Sequence, residues 1–219
     1  MVSNEHVMYQ HYAGEFTTTF GIDYKAWEEQ YLKVAGSAGI YPDVGYLLFA
    51  LAAACSGGVI LEFGSGLSTV VLAHAAAHSG ASLSTLESEP KWADVVNQVL
   101  ATYGIMPTVL CGEEQASLEP TPVDFLWVDG PITPGPQLLG RIAACDQYAD
   151  CIKGATVAFD DAQWMTSDIE AWLRRAGRSA NPSTWYNPTG RTDRHVFLSF
   201  PDTLQGVAHR ELVEKCSVL

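Results

Sequence analysis

The sequence predicts an α/β fold, in which a doubly wound, mostly parallel sheet carries helices on both faces. Three observations support this prediction. Short apolar runs typical of buried strands alternate with helical segments along most of the chain. A Gly-rich turn joins the first of these strands to the helix that follows it. Acidic residues stand directly after several strands, at the positions where open α/β sheets bind their ligands.

Seven strands are expected, and the last two differ from the others. The first five are spaced widely enough for crossover connections, so we expect them to run parallel. Only a turn-rich connection that includes residues 187–190, Asn-Pro-Thr-Gly, separates the last two strands, which predicts an antiparallel hairpin. The predicted strands are 59–62, 82–86, 108–111, 125–128, 156–159, 184–186 and 195–198.

Helical segments fill most of the intervals. Ser88 can cap the helix after the second strand, Pro90 suits its first turn and Gly104 ends it. The predicted helices are 27–34, 46–54, 68–78, 90–102, 138–148 and 167–176. The first two precede the sheet. We therefore expect residues 1–44 to form a helical segment or lid, and residues 45–219 to form the main domain.

Composition limits the classes of partner. The chain has 219 residues, of which 47% are hydrophobic and 17% charged, as expected for a folded domain with a large core. Its 25 acidic and 12 basic residues give a net charge of −13. A surface this negative repels nucleic acids and anionic membranes, and the sequence has no basic cluster to offset it. We expect a small neutral or cationic partner.

Two features indicate the cytoplasm. The five cysteines show neither CxxC nor metal-finger spacing, which favours free thiols in a reducing compartment. The first ten residues are polar and lack the layout of a signal peptide.

The Gly-rich turn has the character of a nucleotide site. Gly64 and Gly66 allow a ligand to approach the backbone, and the following helix offers free N–H groups. A dinucleotide fingerprint requires a third small residue, but Thr69 stands there. Glu62 would repel a pyrophosphate and attract a cation. Glu87, about twenty residues beyond the glycines, can accept ribose hydroxyls. A purely structural turn, and a Glu87 that only favours the next helix, are the alternatives.

These residues resemble a known family. Residues 62–66, Glu-Phe-Gly-Ser-Gly, resemble the first motif of class I S-adenosylmethionine-dependent methyltransferases, and Glu87 matches that family's ribose-binding acid. The family's fold is a Rossmann-like seven-stranded sheet with one antiparallel strand near the C-terminus, and the resemblance covers about residues 46–200. It implies S-adenosylmethionine as cofactor, bound by Glu62, Gly64, Ser65, Gly66, Ser68, Thr69, Glu87, Ser88 and Asp129, with Glu114 and Gln115 at the adenine. A solvated acidic loop is the alternative for residues 113–115.

Three aspartates stand after the fourth and fifth strands. Asp129, Asp160 and Asp161 would repel one another unless a cation or a proton compensates their charge, and Mg²⁺ prefers such ligands. Their layout resembles the metal-dependent O-methyltransferases of the catechol type, which implies that all three hold a metal that activates a substrate hydroxyl. Ile132 stands where that type has a lysine. The alternative is that Asp129 orders the methionine end of the cofactor or acts as a base, and that Asp160 caps the next helix.

Further candidates lie near the end of the chain and at its start. His195 begins the last strand and could act as a general base, with Asp129 and Asp161 as further catalytic candidates. The candidates for substrate contact are Trp164, Arg191 and Tyr12.

The predicted function is methyl transfer from S-adenosylmethionine to a hydroxyl oxygen of a small molecule, with a natural product expected by analogy and with metal assistance left open. A homodimer is also compatible with this function. An N-methyltransferase, an NAD-type oxidoreductase and a non-catalytic protein of the same fold are the alternatives.

Overall fold

A computed structural model describes residues 4–36, 39–106, 108–111, 121–130, 137–178, 183–186 and 195–216. Its centre is a seven-stranded sheet in the order β3-β2-β1-β4-β5-β7-β6. The strands are β1 (Val59–Phe63), β2 (Ser82–Glu87), β3 (Val109–Cys111), β4 (Phe125–Val128), β5 (Thr156–Phe159), β6 (Ser183–Tyr186) and β7 (Val196–Ser199). β7 is antiparallel to both of its neighbours, whereas β1 to β5 pair in parallel. The predicted sheet and its terminal hairpin are confirmed.

The register of the strands brings their acidic ends together. Phe63 at the end of β1 pairs with Leu86 of β2 and with Val128 of β4, and Val128 pairs with Phe159 of β5. Because parallel strands end at the same edge of a sheet, the acidic residues that follow these positions lie along one edge.

Nine helices are present in the described part of the chain. Pro42 and Pro90 stand in the first turns of α3 and α5, and Gly36 and Gly80 end α2 and α4 with positive φ. None of these helices combines the length and apolar character needed to cross a bilayer. The helices are α1 (Asn4–Phe20), α2 (Tyr24–Ala35), α3 (Pro42–Ala53), α4 (Leu67–Ser79), α5 (Pro90–Thr102), α6 (Gln137–Gln147), α7 (Ala149–Ile152), α8 (Thr166–Arg175) and α9 (Leu204–Cys216).

Two apolar cores cover the two faces of the sheet. One lies under α1 to α5 and α9, and the other lies under α6, α7 and α8. Strand alternation divides the side chains between them: Phe125 and Trp127 of β4 face the first core, and Leu126 and Val128 face the second. The prediction of helices on both faces is confirmed.

The N-terminal region differs from its prediction. No individual helix is delimited before residue 27 in the expected helical segment 1–44, and α1 lies there and packs into the first core, where Phe16 stacks on Tyr24 with ring centroids 5.0 Å apart. The predicted boundary between residues 44 and 45 falls inside α3, so one helix runs across it. The structure also adds α9, which the sequence pattern does not predict.

Candidate active site

The Gly-rich turn holds β1 and β4 in backbone contact. Gly64 has a φ of +84°, and a Cβ atom added there would lie 2.5 Å from the Gly130 nitrogen. The N–H groups of Asp129 and Gly130 both donate to the Phe63 carbonyl, at 2.9 and 2.6 Å. Glycine is required where two turns approach this closely, because a side chain on either would force them apart.

Glu87 is fixed at the rim of this turn. Its Oε2 accepts hydrogen bonds from the Ser65 N–H at 2.9 Å and from the Ser65 hydroxyl at 2.8 Å. Its Oε1 accepts from the N–H groups of Ser88 and Glu89, at 2.7 and 3.0 Å. The residue is only 6% exposed. These donors therefore orient a carboxylate that closes β2.

A cavity of about 160 Å³ opens between these strand ends. Trp92 of α5 forms one wall, and its Nε1 donates to the Ser65 carbonyl at 2.6 Å. The ring of the buried Tyr31 stands perpendicular to Trp92, with centroids 6.4 Å apart. The cavity is lined by Gly64, Ser65, Glu87, Glu89, Trp92, Asp129 and Gly130.

Glu62 lies outside this cavity, in the interior. Strand alternation puts it on the same face of β1 as Ile60, under α4. Its carboxyl accepts hydrogen bonds from the hydroxyls of Ser68 at 2.6 Å and Thr85 at 2.8 Å. Burial raises the pKa of Glu62 from its ordinary value of 4.5 to about 8. The residue therefore keeps its proton near neutral pH and ties β1, β2 and α4 together.

A buried arginine joins the aspartates at the ends of β4 and β5. Arg141 of α6 places Nη2 3.1 Å from Asp129 Oδ1 and 3.9 Å from Asp161 Oδ2. Its Nη1 donates to the carbonyl of Asp160 at 2.8 Å. One ligand atom from each aspartate lies within 4.8 Å of the others. The edge of the sheet thus combines three carboxylates with one guanidinium.

Comparisons with known proteins identify the family model that this architecture matches. Residues 61–162, from β1 to the turn after β5, match a family model described as a methyltransferase domain. This match agrees with the predicted class I S-adenosylmethionine-dependent methyltransferase. No curated protein matches it.

The fold of this chain is similar to that of solved O-methyltransferases. The structure of a putative caffeoyl-CoA O-methyltransferase from Staphylococcus aureus is similar with a TM-score of 0.61 at 14% identity, over 86% of this chain and 97% of the other. An O-methyltransferase from Bacillus cereus, solved with S-adenosylhomocysteine, gives 0.59 at 18% identity over 85% and 95%. TomG from Streptomyces achromogenes, an O-methyltransferase involved in tomaymycin synthesis and solved with S-adenosylmethionine, gives 0.53 at 21% identity over 86% and 87%. At these identities the similarity establishes the fold.

The cavity residues fit the cofactor of the family. Glu87 offers a carboxylate to hydroxyl groups, and the turn with Gly64 and Gly130 has no side chain to obstruct a ligand. S-adenosylmethionine supplies a reactive methyl group on its sulfonium when bound. Of the residues predicted to contact it, Gly64, Ser65, Glu87 and Asp129 line the cavity.

Other predicted cofactor residues support the turn through their hydrogen bonds, and their direct contact with the cofactor stays a prediction. Ser68 is buried and donates to Glu62. Thr69 is fully buried, and its Oγ1 accepts from the Gly66 N–H at 3.0 Å. Ser88 donates to Glu87. Because their polar atoms serve the turn itself, these residues shape the site that the cavity-lining residues form.

The three carboxylates converge as predicted, and Arg141 occupies two of the ligands that Mg²⁺ would use. Arg141 already compensates Asp129 and Asp161. Two unit charges 4 Å apart interact by about 4 kcal/mol at an effective dielectric constant of 20, so the guanidinium offsets part of the attraction that the three carboxylates exert on a dication.

The remaining candidates lie in three places. The Ala162 N–H donates to the His195 carbonyl at 3.0 Å, and the His195 N–H donates to Gln163 Oε1 at 2.8 Å, so His195 adjoins the 3₁₀ turn Ala162–Trp164. Trp164, at the end of that turn, is 66% exposed. Tyr12 is fully buried, and its hydroxyl donates to the Cys216 carbonyl at 3.3 Å. Its position corrects the predicted substrate contact to a packing role.

Three predicted residues lie outside the described part of the chain, namely Glu114, Gln115 and Arg191.

Sequence reasoning missed Arg141 and Trp92. Arg141 falls at helical spacing from the apolar Leu138 and Cys145, beside Ile142, so the sequence places a charge on the apolar face of its helix. That signal could have identified a buried arginine in need of acidic partners. Trp92 gives no such signal, because its role depends on how α5 approaches the turn.

Proposed function

We propose that this methyltransferase transfers a methyl group from S-adenosylmethionine to a hydroxyl oxygen of a small molecule. The observation that supports this proposal is the position of Asp129, which lines the same cavity as Gly64 and Ser65. A hydroxyl loses its proton when its oxygen attacks the methyl carbon, and a carboxylate within hydrogen-bond reach can accept that proton. Asp129 then acts as the base, beside the bound cofactor.

The other residues bind and orient. Glu87 accepts ribose hydroxyls at the rim, and the backbone of Gly64 and Gly130 allows the cofactor to approach closely. Trp164 is exposed three residues after Asp161 and offers an aromatic surface for the acceptor. Holding the acceptor oxygen in line with the methyl group contributes most of the rate, since methyl transfer is a displacement between two bound reactants.

The setting of the reaction is part of this proposal. The net charge of −13 favours a neutral or cationic small molecule over nucleic acid or a membrane surface. The role of TomG in tomaymycin synthesis supports a natural product as the class of acceptor. The described cysteines are all free, which supports the cytoplasm. A homodimer remains compatible with this function.

The test is a screen of paired acceptors that share one aromatic scaffold and differ only in carrying a hydroxyl or an amine. The protein is incubated with S-adenosylmethionine labelled with deuterium in its methyl group, and mass spectrometry locates the label in the product. We expect the label on oxygen. Asp129→Asn should lower kcat by at least about 100-fold, the usual contribution of a general base, while leaving the Kd for S-adenosylmethionine within a few-fold.

Asp150→Asn is the matched control, because Asp150 is an exposed carboxylate on α7. Its turnover should equal that of the unmodified protein. Label found only on nitrogen would overturn O-methylation, and an Asp129→Asn variant with unchanged kcat would remove Asp129 from the role of base.

A further inference from the structure

Arg141 brings a positive charge into the acidic edge of the sheet. Its side chain is only 9% exposed, and its guanidinium forms ion pairs with Asp129 at 3.1 Å and Asp161 at 3.9 Å. The same guanidinium donates to the backbone carbonyl of Asp160. One side chain of this protein therefore contacts all three residues that the sequence assigns to a metal.

Arg141 and a divalent cation would compete for the same carboxylates. A guanidinium stays charged in proteins, and a buried arginine requires paired acceptors. Asp129 and Asp161 are those acceptors here. A cation bound between them would be repelled by the guanidinium that shares these carboxylates, or would displace Arg141 into the interior without its acidic partners, which is unfavourable.

We propose that Arg141 takes the place of a divalent cation at the ends of β4 and β5, so that this methyltransferase works without a metal. Arg141 holds one oxygen of Asp129 by an ion pair and is thereby a positioning residue for the carboxylate that lines the cavity. The proposal rests on the proposed function only in the role that it gives to Asp129. The competition with a metal rests on the contacts of Arg141 alone.

The test measures Mn²⁺ binding by electron paramagnetic resonance, on the whole protein and without acceptor. Mn²⁺ favours the same oxygen ligands as Mg²⁺. The unmodified protein and Arg141→Lys, which keeps the charge, should not bind it at the three aspartates. Arg141→Gln should bind Mn²⁺ at least about tenfold more tightly than the unmodified protein, a difference of about 1.4 kcal/mol. Adding Asp161→Asn to Arg141→Gln should abolish this gain.

Arg175→Gln is the matched control, because Arg175 forms an ion pair with Asp146 at 2.8 Å on the exposed surface. It should gain no affinity for Mn²⁺. The proposal is overturned if the unmodified protein binds Mn²⁺ at a site that Asp161→Asn removes, or if chelation stops turnover and Mg²⁺ restores it. It is also overturned if Arg141→Gln folds, as judged by circular dichroism, and gains no affinity.

The test remains decisive if Arg141→Gln does not fold, because binding to the unmodified protein and to Arg141→Lys then gives the answer. Failure of the proposed function has a different signature. A protein that methylates amines, or none of the acceptors tested, leaves the Mn²⁺ measurements unchanged.

Discussion

At the scale of single residues, the buried carboxyl of Glu62 makes the stability of the folded protein depend on pH. Burial raises its pKa to about 8 in the folded protein, whereas its ordinary value is 4.5. Between these values the folded protein holds a proton that the unfolded chain has released. Stability contributed by Glu62 is therefore fully present below about pH 4.5 and is lost as the pH rises through about 8.

Glu62→Gln should remove this dependence, because an amide can keep the hydrogen bonds with Ser68 and Thr85 and does not titrate. We expect the variant and the unmodified protein to have similar stability at pH 5. The variant should gain at least about 1 kcal/mol relative to the unmodified protein by pH 8, since one unit of pKa is worth about 1.4 kcal/mol. Urea denaturation at a series of pH values measures the difference.

The control for this variant is Glu170→Gln, on the exposed face of α8. Its stability should follow that of the unmodified protein at every pH. A Glu62→Gln variant whose stability difference stays constant from pH 5 to pH 8 would mean that Glu62 is already ionised in the folded protein.

At the scale of elements, the cofactor site depends on two turns that touch through their backbones. A Cβ atom on Gly130 would lie 2.6 Å from the Gly64 Cα, and no flexible side chain stands there to yield. Gly130→Ala should therefore separate the ends of β1 and β4, weaken the hydrogen bond to the Phe63 carbonyl and reshape the cavity. We expect the affinity for S-adenosylmethionine to fall at least about tenfold, or 1.4 kcal/mol, as measured by calorimetry.

Gly154→Ala provides the comparison for this prediction. Gly154 lies in the turn before β5, does not adopt a positive φ, and has open space where a Cβ atom would stand. Alanine there should leave cofactor affinity unchanged and stabilise the fold by a few tenths to about 1 kcal/mol. Equal affinity in both variants would show that the contact between the turns is not needed for binding.

At the scale of the whole molecule, the sequence predicts the sheet and the location of the site. Each strand is a short apolar run between turn residues, and such runs are recognisable without tertiary information. Parallel strands end at one edge, so the sequence alone is enough to expect Glu87, Asp129 and Asp160 close together.

The remaining features depend on packing between distant segments. Arg141 reaches the acidic strand ends only because α6 lies across that face of the sheet. Glu62 is buried because α4 covers its side of β1. The segment of α1 begins with polar residues and contains three consecutive threonines, and the contacts of its aromatic residues with α2 and α3 accompany its helical form. None of these neighbours is visible in the local sequence.

The position of α1 in the first core predicts that this helix is part of the packed fold and is not a lid over the site. Phe16 is fully buried, stacks on Tyr24 and meets the edge of Phe49. Phe16→Ala should therefore cost about 3–5 kcal/mol of unfolding free energy, as do comparable truncations in protein cores. A lid residue would instead change the acceptor KM at constant stability. Denaturant unfolding and steady-state kinetics, with the exposed Thr18→Ala as control, distinguish the two. Unfolding free energy equal to that of the control, with a raised KM, would make residues 1–44 a lid after all.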